Sequence, residues 1–346
     1  MLLFLKKSET RRRLGPVMNK RVVITSNCSW FVANFFAPTI RELLIHNEVH
    51  VIASRDRHTE KLCQLGCHFH HLAVDRSGIN PASEITTLVR LFGLVKRLEP
   101  DCVFNFTPKL NIYSTLVCRL LNIRVISTIA GLGSIISESG FRSMVGRILL
   151  RLTQPLTNHI VFQNEDDRHL YIERKYIASN KTSRVKGIGV ELKRFPQTQP
   201  KDDDVVRFIL FARMLRNKGV VDFIEAAKLI DTHFDELRKQ GLTTPKYEFA
   251  LLGFVDESNP QGLSLEQLRE WDKQTCVQYL GATDNVLSVV QHYDCVVLPS
   301  FYREGIPQCL IEACAMSKPI ITTDNVGCID TTDHGNVGCI DTTDHV

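Results

Sequence analysis

Several features that mark particular protein classes are absent from this 346-residue sequence. No stretch of about 18 apolar residues is present, so the sequence predicts no membrane-spanning helix. Its 11 cysteines include no Cys-x-x-Cys pair, and the apolar opening of residues 1–5 is too short for a signal peptide. These absences argue against a disulfide-rich secreted domain and predict a protein of the reducing cytosol.

Signatures of two function classes are also missing. The first predicted strand runs into Thr25, Ser26 and Asn27 without a glycine, whereas a nucleotide-sugar epimerase or dehydrogenase would need a Gly-x-Gly-x-x-Gly turn there. No zinc-finger spacing, RNA-binding aromatic motif or basic zipper is present, so nucleic acid is not the expected partner. The epimerase or dehydrogenase is kept as a less supported alternative.

Charge is divided unevenly along the chain. Residues 1–195 contain 29 lysines and arginines against 15 acidic residues, a net charge of +14. Residues 196–346 contain 13 against 23, a net charge of −10. Because a basic half attracts an anionic partner, we expect contact with an anionic membrane surface.

One segment of the basic half has the pattern of an amphipathic helix. Residues 141–152 place six apolar side chains on one helical face with three arginines beside it: Phe141, Met144, Val145, Ile148, Leu149 and Leu152, flanked by Arg142, Arg147 and Arg151. Such a face suits either a membrane surface or the core of the domain. The sequence leaves both interpretations open.

Predicted strands alternate with helices at the rhythm of a parallel α/β sheet, and the length suggests two domains. Predicted strands of the first domain lie at residues 21–25, 49–53, 68–72, 102–106, 125–129 and 160–163, and predicted helices at residues 31–46 and 85–98. We predict a basic extension (1–18), a first domain (19–195), a polar linker (196–204), a second domain (205–324) and a duplicated tail (325–346).

Two glutamates lie eight residues apart across a Gly-Ile-Pro turn near the C-terminus. Glu304 follows the apolar run 295–299, and Glu312 falls about two turns into a helix predicted from Pro307. At the carboxyl end of a parallel strand, both carboxylates would line a ligand crevice where the helix N-terminus also attracts an anion. The alternative is a surface turn acid and an unrelated helix acid.

Two bases lie five residues apart after an upstream apolar strand. Arg213 and Lys218 follow residues 208–211 and precede an amphipathic helix that begins at Val220. A guanidinium offers a planar fork to phosphate oxygens and an ammonium a compact charge, so the pair suits a diphosphate. Either base alone is more typical of a solvated loop.

Together, the Arg-x4-Lys and Glu-x7-Glu elements resemble the donor half of GT-B glycosyltransferases of family 4, a retaining group that includes capsule and O-antigen sugar transferases. The resemblance covers about residues 19–334. It implies an α/β fold with two Rossmann-like parallel-sheet domains that face each other across a cleft. The implied partners are a nucleotide-diphosphate sugar, such as a UDP-sugar, and a lipid-linked saccharide acceptor of surface polysaccharide synthesis, at the cytoplasmic face of the inner membrane. A catalytically inactive scaffold derived from such a transferase is the alternative.

The resemblance assigns roles to individual residues. Arg213 and Lys218 would stabilise the departing diphosphate, Glu304 would hold the transferred sugar, and Glu312 would bind the ribose hydroxyls. Five further residues would shape the donor pocket: Gly253, Gly281, Gly305, Ile306 and Pro307.

Acceptor-side residues are expected on loops that follow strands of the first domain. Gly131 and Gly133 would let the backbone approach a sugar or phosphate, and Asn105 and Lys109 would form a second polar loop. Ordinary turns would explain both segments as well. In the resembled family a histidine often precedes this Gly-Leu-Gly, but Ala130 stands there in this sequence, so no catalytic histidine is assigned.

No metal and no cofactor are expected. Asp202 and Asp204 form an Asp-x-Asp pair, which in other glycosyltransferases holds a divalent cation, but here the pair precedes a strand instead of following one. His68 and His70 alternate along one strand with no cysteine or carboxylate expected nearby. We predict a solvated charge run and structural histidines.

The sequence ends in a duplication. Residues 325–334 recur as residues 336–345, and two copies are too few for a repeat fold. In the resembled family this segment leads on to helices that complete the second domain. We therefore expect an incomplete second domain, an exposed and poorly packed tail after Asp324, and weak or absent transferase activity.

Overall fold

The structure is a computed structural model that describes residues 19–75, 80–132, 140–198, 201, 203–257, 259–332 and 338–340. The chain divides into two compact units, Met1–Ile188 and Gly189–Val346. Each unit is built around one parallel sheet, so the predicted α/β fold class is confirmed. The predicted basic extension at 1–18 lies outside the described residues.

The first unit carries a seven-stranded sheet in the order β3-β2-β1-β4-β5-β6-β7, which is the order of a Rossmann-like sheet. Its strands are β1 (Lys20–Cys28), β2 (Asn47–Ser54), β3 (His68–His71), β4 (Cys102–Asn105), β5 (Arg124–Ile129), β6 (His159–Phe162) and β7 (Thr182–Arg184). Its helices are α1 (Ser29–Phe35), α2 (Ala37–Leu44), α3 (Thr59–Gln64), α4 (Pro81–Leu98), α5 (Pro108–Leu121), α6 (Phe141–Thr153) and α7 (Glu165–Glu173).

Both faces of this sheet are covered, because alternate residues of the central strand enter different cores. Val22 and Ile24 of β1 pack into one apolar cluster with residues of α1 and α2. Val23, between them, packs into another cluster with residues of α4 and α5. A strand buried on both sides needs a continuous apolar sequence, which is why these strands were readable without alternation.

The predicted helix at 31–46 is two helices instead of one. Helix α1 ends at Phe35 and α2 begins at Ala37, with Pro38 in its first turn. Proline is accepted in the first turn of a helix but not in its interior, where its ring clashes with the preceding turn. The chain therefore breaks at Phe36.

The histidines of β3 pack against a third histidine. The rings of His68 and His70 stack on that of His50 in β2, with centroid distances of 4.9 and 5.1 Å. The expectation that no carboxylate lies nearby is wrong, since an oxygen of Glu48 lies 3.0 Å from Nε2 of His50. Among the described residues, no group of three or more His, Cys, Asp or Glu side chains is arranged to hold a metal ion.

Helix α6 exposes part of its apolar face to solvent. Met144, Ile148 and Leu152, spaced four residues apart on one stripe, are 46%, 50% and 64% exposed. Ser143 and Leu150, on the opposite side, are buried. Leu149 of the predicted face packs against an apolar cluster of the first unit, so the core-facing interpretation holds for Leu149 and is wrong for Met144, Ile148 and Leu152. Within the same described part of the chain, no helix has the length and hydrophobicity needed to cross a bilayer.

The second unit carries a six-stranded sheet in the order β10-β9-β8-β11-β12-β13, which repeats the Rossmann-like pattern. Its strands are β8 (Val205–Phe211), β9 (Lys246–Leu252), β10 (Val277–Tyr279), β11 (Cys295–Leu298), β12 (Ile320–Thr323) and β13 (Gly338–Ile340). Its helices are α8 (Val220–Lys239), α9 (Leu265–Gln274), α10 (Leu287–Val290) and α11 (Gln308–Ala315).

The boundary between the units falls after Ile188, earlier than the predicted domain end at residue 195. Phe195 is only 4% exposed and packs into the core of the second unit. The backbone N–H of Thr198 donates to the carbonyl of Met316 at 3.2 Å. Thr198 of the predicted linker is thus attached to the second unit, because Phe195 just before the linker packs into the core of that unit. Residues 199, 200 and 202 of the predicted linker lie outside the described residues.

The prediction of a poorly packed tail is wrong for residues 325–332. Cys328 is fully buried in the core of the second unit, and a 3₁₀ turn follows at Ile329–Thr331. Further along, Gly338–Ile340 pairs in parallel with β12 as the edge strand β13. The rest of the predicted tail lies outside the described residues.

Candidate active site

The four predicted charged residues of the second unit come from two strands that are neighbours in the sheet. Strand β8 leads to Arg213 and Lys218, and strand β11 leads to Glu304 and then to Glu312 in α11. These strands pair directly, with Phe208 opposite Cys295, at the point where the strand order reverses. Ligands of open α/β sheets bind at such a switch point, outside the carboxyl ends of the strands.

Lys218 and Glu304 form an ion pair at this point. The Lys218 ammonium donates to Oε1 of Glu304, and the two side chains are only 13% and 11% exposed. The buried hydroxyl of Ser300 lies 3.1 Å from the same oxygen. A buried charge needs a partner and hydrogen bonds to be stable, so the two predicted catalytic residues hold each other in place.

A glycine allows the chain to deliver Lys218 to this position. Gly219, which was not predicted as a site residue, has a left-handed φ of +75° and forms the N-cap of α8. A Cβ atom at Gly219 would lie 2.1 Å from the carbonyl oxygen of Pro299. Only glycine therefore permits the turn after Lys218 to pack against the end of β11. The Lys-Gly pair before a helical pattern was a readable signal for it.

Arg213 contacts an acid in the loop after β9. Its NH1 atom lies 3.6 Å from Oδ2 of Asp256, and the arginine side chain is 38% exposed. Asp256, in the loop after β9, was not found by the sequence analysis because a single loop acid carries no pattern. The structure thus brings Arg213 and Lys218 to the same edge of the sheet, where an exposed guanidinium can still reach a ligand.

Glu312 lies in α11, four residues after Gln308. Burial raises the pKa of the Glu312 carboxyl to about 7, against a hydrogen bond from Gln308 and the positive charge of Arg194, which both lower it. A carboxylate that is costly to ionise can gain hydrogen bonds from ligand hydroxyl groups. Position and electrostatics both make Glu312 a suitable ligand-binding residue.

The predicted pocket glycines join three loops at the same edge of the sheet. The backbone N–H of Gly253, after β9, donates to the carbonyl of Gly281, after β10, at 2.8 Å. A Cβ atom at Gly253 would lie 1.7 Å from the carbonyl oxygen of Ala212, after β8. The hydroxyl of Tyr279 donates to the Gly253 carbonyl at 2.9 Å. Glycine is therefore required at position 253, because the backbone of the loop after β8 lies where a side chain would start.

Gly305, Ile306 and Pro307 form the buried turn between Glu304 and α11. Pro307 is the N-cap of α11 with an extended ψ of 122°. This turn directs the N-terminus of α11 to the carboxyl edge of the sheet, where free N–H groups and the helix dipole favour an anion.

The sequence analysis missed a segment that supports this turn. Residues 325–327, assigned to the tail, hold the backbone around Glu304: the Asn325 amide donates to the Tyr302 carbonyl at 2.8 Å, and the Glu304 N–H donates to the Val326 carbonyl at 3.3 Å. An Asn-x-Gly sequence directly after a strand was the available signal.

The predicted acceptor-side residues of the first unit are less open than expected. Asn105 is the last residue of β4 and fully buried, where it accepts from the Thr25 hydroxyl at 2.7 Å. Lys109 lies in the first turn of α5 and donates to Glu84 of α4 at 2.6 Å. The expected polar loop is therefore wrong, because β4 and α5 follow each other almost directly.

The other acceptor-side element is the Gly-Leu-Gly segment after β5. Gly131 has a left-handed φ of +95°, as a turn glycine requires, and Leu132 packs into an apolar cluster of the first unit. Gly133 lies outside the described residues.

Of the Asp-x-Asp segment, Asp203 is engaged in structural contacts. Both of its oxygens accept from Arg207 of β8 at 2.9 Å, and the guanidinium holds the pKa of this carboxyl below its usual value. Asp202 lies outside the described residues. Asp203 binds Arg207 near the start of β8. It therefore lies at the amino edge of the second sheet, opposite the edge that carries the Glu304 turn.

Two family models match the chain, one in each unit. Residues 21–164 match the glycosyl transferase 4-like family. Residues 205–345 match glycosyl transferases group 1.

Two named bacterial glycosyltransferases are similar in sequence to this chain. An N,N'-diacetylbacillosaminyl-diphospho-undecaprenol alpha-1,3-N-acetylgalactosaminyltransferase of Campylobacter jejuni is 28% identical over 328 residues, which are 90% of this chain and 82% of that protein. A UDP-Gal:alpha-D-GlcNAc-diphosphoundecaprenol alpha-1,3-galactosyltransferase of Escherichia coli is 22% identical over 71% of this chain and 63% of that protein.

A solved structure shares the fold. The crystal structure of Anabaena Alr3699/HepE in complex with UDP and glucose superposes with a TM-score of 0.71 at 13% identity, over 92% of this chain and 85% of that chain. At this identity the likeness concerns the fold alone. The predicted enzyme class is confirmed by the family matches, which lie in order on the two units. The chain is therefore a glycosyltransferase whose first unit matches the glycosyl transferase 4-like model and whose second unit matches the group 1 model, on a two-domain fold shared with GT-B glycosyltransferases.

Proposed function

We propose that this glycosyltransferase moves a sugar, with retention of its anomeric configuration, from a UDP-sugar to a saccharide carried on a lipid diphosphate. The observation that carries the proposal is the buried ion pair of Lys218 and Glu304 at the switch point of the second sheet. The names of the two relatives, which both act on diphospho-undecaprenol-linked sugars, support the acceptor class. Surface polysaccharide synthesis at the cytoplasmic face of the inner membrane is the corresponding setting.

The bases of this site stabilise the leaving group. As the bond between the anomeric carbon and the diphosphate oxygen breaks, negative charge accumulates on the diphosphate. Lys218 and the partly exposed Arg213, which both follow β8 at the carboxyl edge of the second sheet, supply positive charge to the diphosphate, and the guanidinium provides a fork for one phosphate. A preorganised donor of this kind contributes roughly 3–4 kcal/mol to transition-state stabilisation.

Retention follows without a protein nucleophile. The acceptor hydroxyl attacks the anomeric carbon from the face that the diphosphate leaves, and its proton passes to the leaving phosphate oxygen. The carboxylate of Glu304 is fixed by Lys218 and Ser300. It therefore orients the transferred sugar by binding the hydroxyl groups of that sugar. Glu312 accepts hydrogen bonds from the ribose hydroxyls, and the glycines at 253 and 281 admit the nucleotide.

The acceptor side is assigned to the first unit. Gly131 has a left-handed φ of +95°, and without a side chain there a sugar or phosphate can approach the backbone. Lys109 places an ammonium group in the first turn of α5, where it forms an ion pair with Glu84. The excess of basic residues in the first half suits a lipid diphosphate.

No metal ion is needed in this mechanism, because Arg213, Lys218 and the N-terminus of α11 supply the positive charge. Between Asp202 and Asp204, Asp203 pairs with Arg207 at 2.9 Å.

The direct test incubates the full chain with radiolabelled UDP-, GDP- and ADP-sugars and a synthetic polyprenyl-diphosphate saccharide. We expect label transfer from a UDP-sugar, an α-linked product by NMR coupling constants from an α-linked donor, and unchanged rates in EDTA. The Glu304→Gln variant is the control for contaminating activity. An inverted product would refute the mechanism. UDP binding without transfer from any donor would favour the inactive scaffold.

We also propose that α6 is the surface that contacts the membrane. Met144, Ile148 and Leu152 form an exposed apolar stripe, with Arg147 and Arg151 along one edge of the helix. An interfacial helix of this type inserts its apolar face and uses its bases to contact anionic lipid headgroups. The net charge of +14 over residues 1–195 has the matching sign.

Sedimentation with vesicles tests this surface. The chain should pellet with phosphatidylglycerol vesicles, and should be released as salt rises, since exposed charges are screened over about 10 Å at 0.1 M. Ile148→Glu should abolish pelleting. Leu229→Glu, at a leucine that is 72% exposed on α8 of the acidic second unit, is the matched control and should pellet like the wild type. Equal loss in both variants would contradict the assignment.

A further inference from the structure

Residues 325–327 pack against the backbone of the loop that carries Glu304. The polar atoms of this segment bond the backbone of Glu304 and of two residues before it. The side-chain amide of Asn325 donates to the carbonyl of Tyr302 at 2.8 Å and lies 3.4 Å from that of Ser300. The Val326 carbonyl accepts from the N–H of Glu304 at 3.3 Å.

Gly327 completes the contact by its lack of a side chain. Its φ is +84°, and a Cβ atom there would lie 1.8 Å from the carbonyl oxygen of Gly305 and 2.8 Å from that of Glu304. No other residue could approach the loop so closely. The segment itself is anchored, because Cys328, which follows it, is fully buried in the core of the second unit.

The carboxylate of Glu304 and its backbone are thus held by different groups. Lys218 and Ser300 contact the carboxylate, and these two residues come from the ends of β8 and β11. The backbone is held by Asn325 after β12. A carboxylate that must orient a sugar needs both, since a shift of about 1 Å in such a group can cost on the order of 100-fold in rate.

We propose that Asn325 is a positioning residue for Glu304: its amide fixes the backbone of the Glu304 loop and thereby sets the carboxylate for catalysis. This inference rests on the proposed role of Glu304 in sugar transfer. Asn325 itself contacts no substrate in this proposal. It should therefore affect turnover and leave nucleotide binding unchanged.

The substitution Asn325→Asp isolates the donor group. An aspartate keeps the oxygen that accepts from the Val326 N–H at 2.9 Å, and replaces the donating NH₂ by a second oxygen that faces two carbonyls. We expect kcat to fall roughly 10- to 100-fold, with an unchanged Kd for UDP. The duplication offers a matched control, because Asn336→Asp makes the same change in the same ten-residue sequence and should leave kcat unchanged.

A double-mutant cycle separates positioning from general stability. If Asn325 acts through Glu304, Asn325→Asp should lower the single-turnover rate much less in a Glu304→Gln background than in the wild type. A purely structural role predicts equal fold-losses in both backgrounds, and that result would overturn the proposal. Parallel loss of UDP affinity and kcat in Asn325→Asp would overturn it as well.

Amide hydrogen exchange provides a readout that does not depend on activity. In Asn325→Asp, exchange should accelerate in the peptide covering residues 300–306, which includes the Glu304 N–H, and stay unchanged over α8. If the wild-type chain transfers no sugar from any donor, the proposed function fails, and this exchange pattern alone decides whether Asn325 fixes the loop. Unchanged exchange at 300–306 would refute the positioning role in either case.

Discussion

The protonation state of Glu312 should make the protein less stable as pH rises from acid to neutral. Burial raises the pKa of this carboxyl from 4.5 to about 7. The folded chain therefore binds more protons than the unfolded chain between these values. The stabilisation from this group is complete below pH 4.5 and is lost as pH rises through 7.

The size of this effect follows from the pKa difference. At about 1.4 kcal/mol per pH unit, the span from 4.5 to about 7 gives about 3 kcal/mol as an upper limit. Glu312 keeps some contact with solvent, so about 2 kcal/mol is the working estimate for the free energy of unfolding. Replacement by glutamine removes the titration. Glu312→Gln should exceed the stability of the wild type by less than about 1 kcal/mol at pH 5 and by about 2 kcal/mol at pH 8.

Urea unfolding at pH 5, 6, 7 and 8 measures this difference. Glu270→Gln, at an exposed glutamate of α9 in the same unit, is the matched control and should follow the wild type at every pH. Parallel stability curves for wild type and Glu312→Gln would refute the reasoning, because the buried carboxyl would then titrate as it does in the unfolded chain.

The same titration should appear in nucleotide binding. If ribose hydroxyls donate to the ionised form of Glu312, the affinity for UDP should rise roughly 10-fold from pH 6 to pH 8, since the competent ionised fraction rises by about that factor. Calorimetry with Glu312→Gln under the same conditions corrects for the titration of UDP itself. An equal pH dependence in both proteins would contradict the ribose assignment.

Three further predictions concern the same unit. Glu304→Gln should chiefly lower kcat and Glu312→Gln chiefly raise KM for the nucleotide sugar, and near-wild-type kinetics in both would refute the two roles. Gly219→Ala should cost about 3 kcal/mol of unfolding free energy and Gly241→Ala only about 1 kcal/mol. Both glycines have left-handed φ values, but only at Gly219 would a Cβ meet a carbonyl oxygen, at 2.1 Å. Equal losses of unfolding free energy in the two variants, measured by chemical denaturation, would argue against a role of this close contact. Transfer should persist after EDTA dialysis, and restoration of a lost activity by Mg²⁺ would overturn the metal-free mechanism.

Much of the fold was predictable because parallel strands and their helices leave strong patterns. Buried strands such as β1 and β11 read as continuous apolar runs, and the charged residues at 213, 218, 304 and 312 follow them at the expected edge of the sheet. The spacing of these residues predicts that they follow two strands of one sheet, and the structure places them after β8 and β11, which are neighbours.

The errors came from short elements and from tertiary contacts. The loop predicted around Asn105 is the junction of β4 and α5, because a four-residue strand and a proline-initiated helix leave little room for a loop. The Lys-Gly and Asn-x-Gly sequences indicate turns at Gly219 and Asn325, but the contacts that make these residues important depend on which backbone lies opposite them. Whether the apolar face of α6 packs inward or outward was likewise undecidable from its period alone.

The duplicated tail shows this limit of local sequence most directly. In the first copy Ile329 begins a 3₁₀ turn, while Ile340, the same position of the second copy, ends strand β13. Identical residues have identical propensities, so the difference comes from their neighbours: the first copy directly follows β12 and meets the Glu304 loop, and the second pairs with β12 along its open edge. Propensity is a weak prior that such contacts override. A substitution placed in each copy in turn therefore changes the same local sequence in two different settings, so a difference in outcome comes from the tertiary contacts of each copy and not from the local sequence.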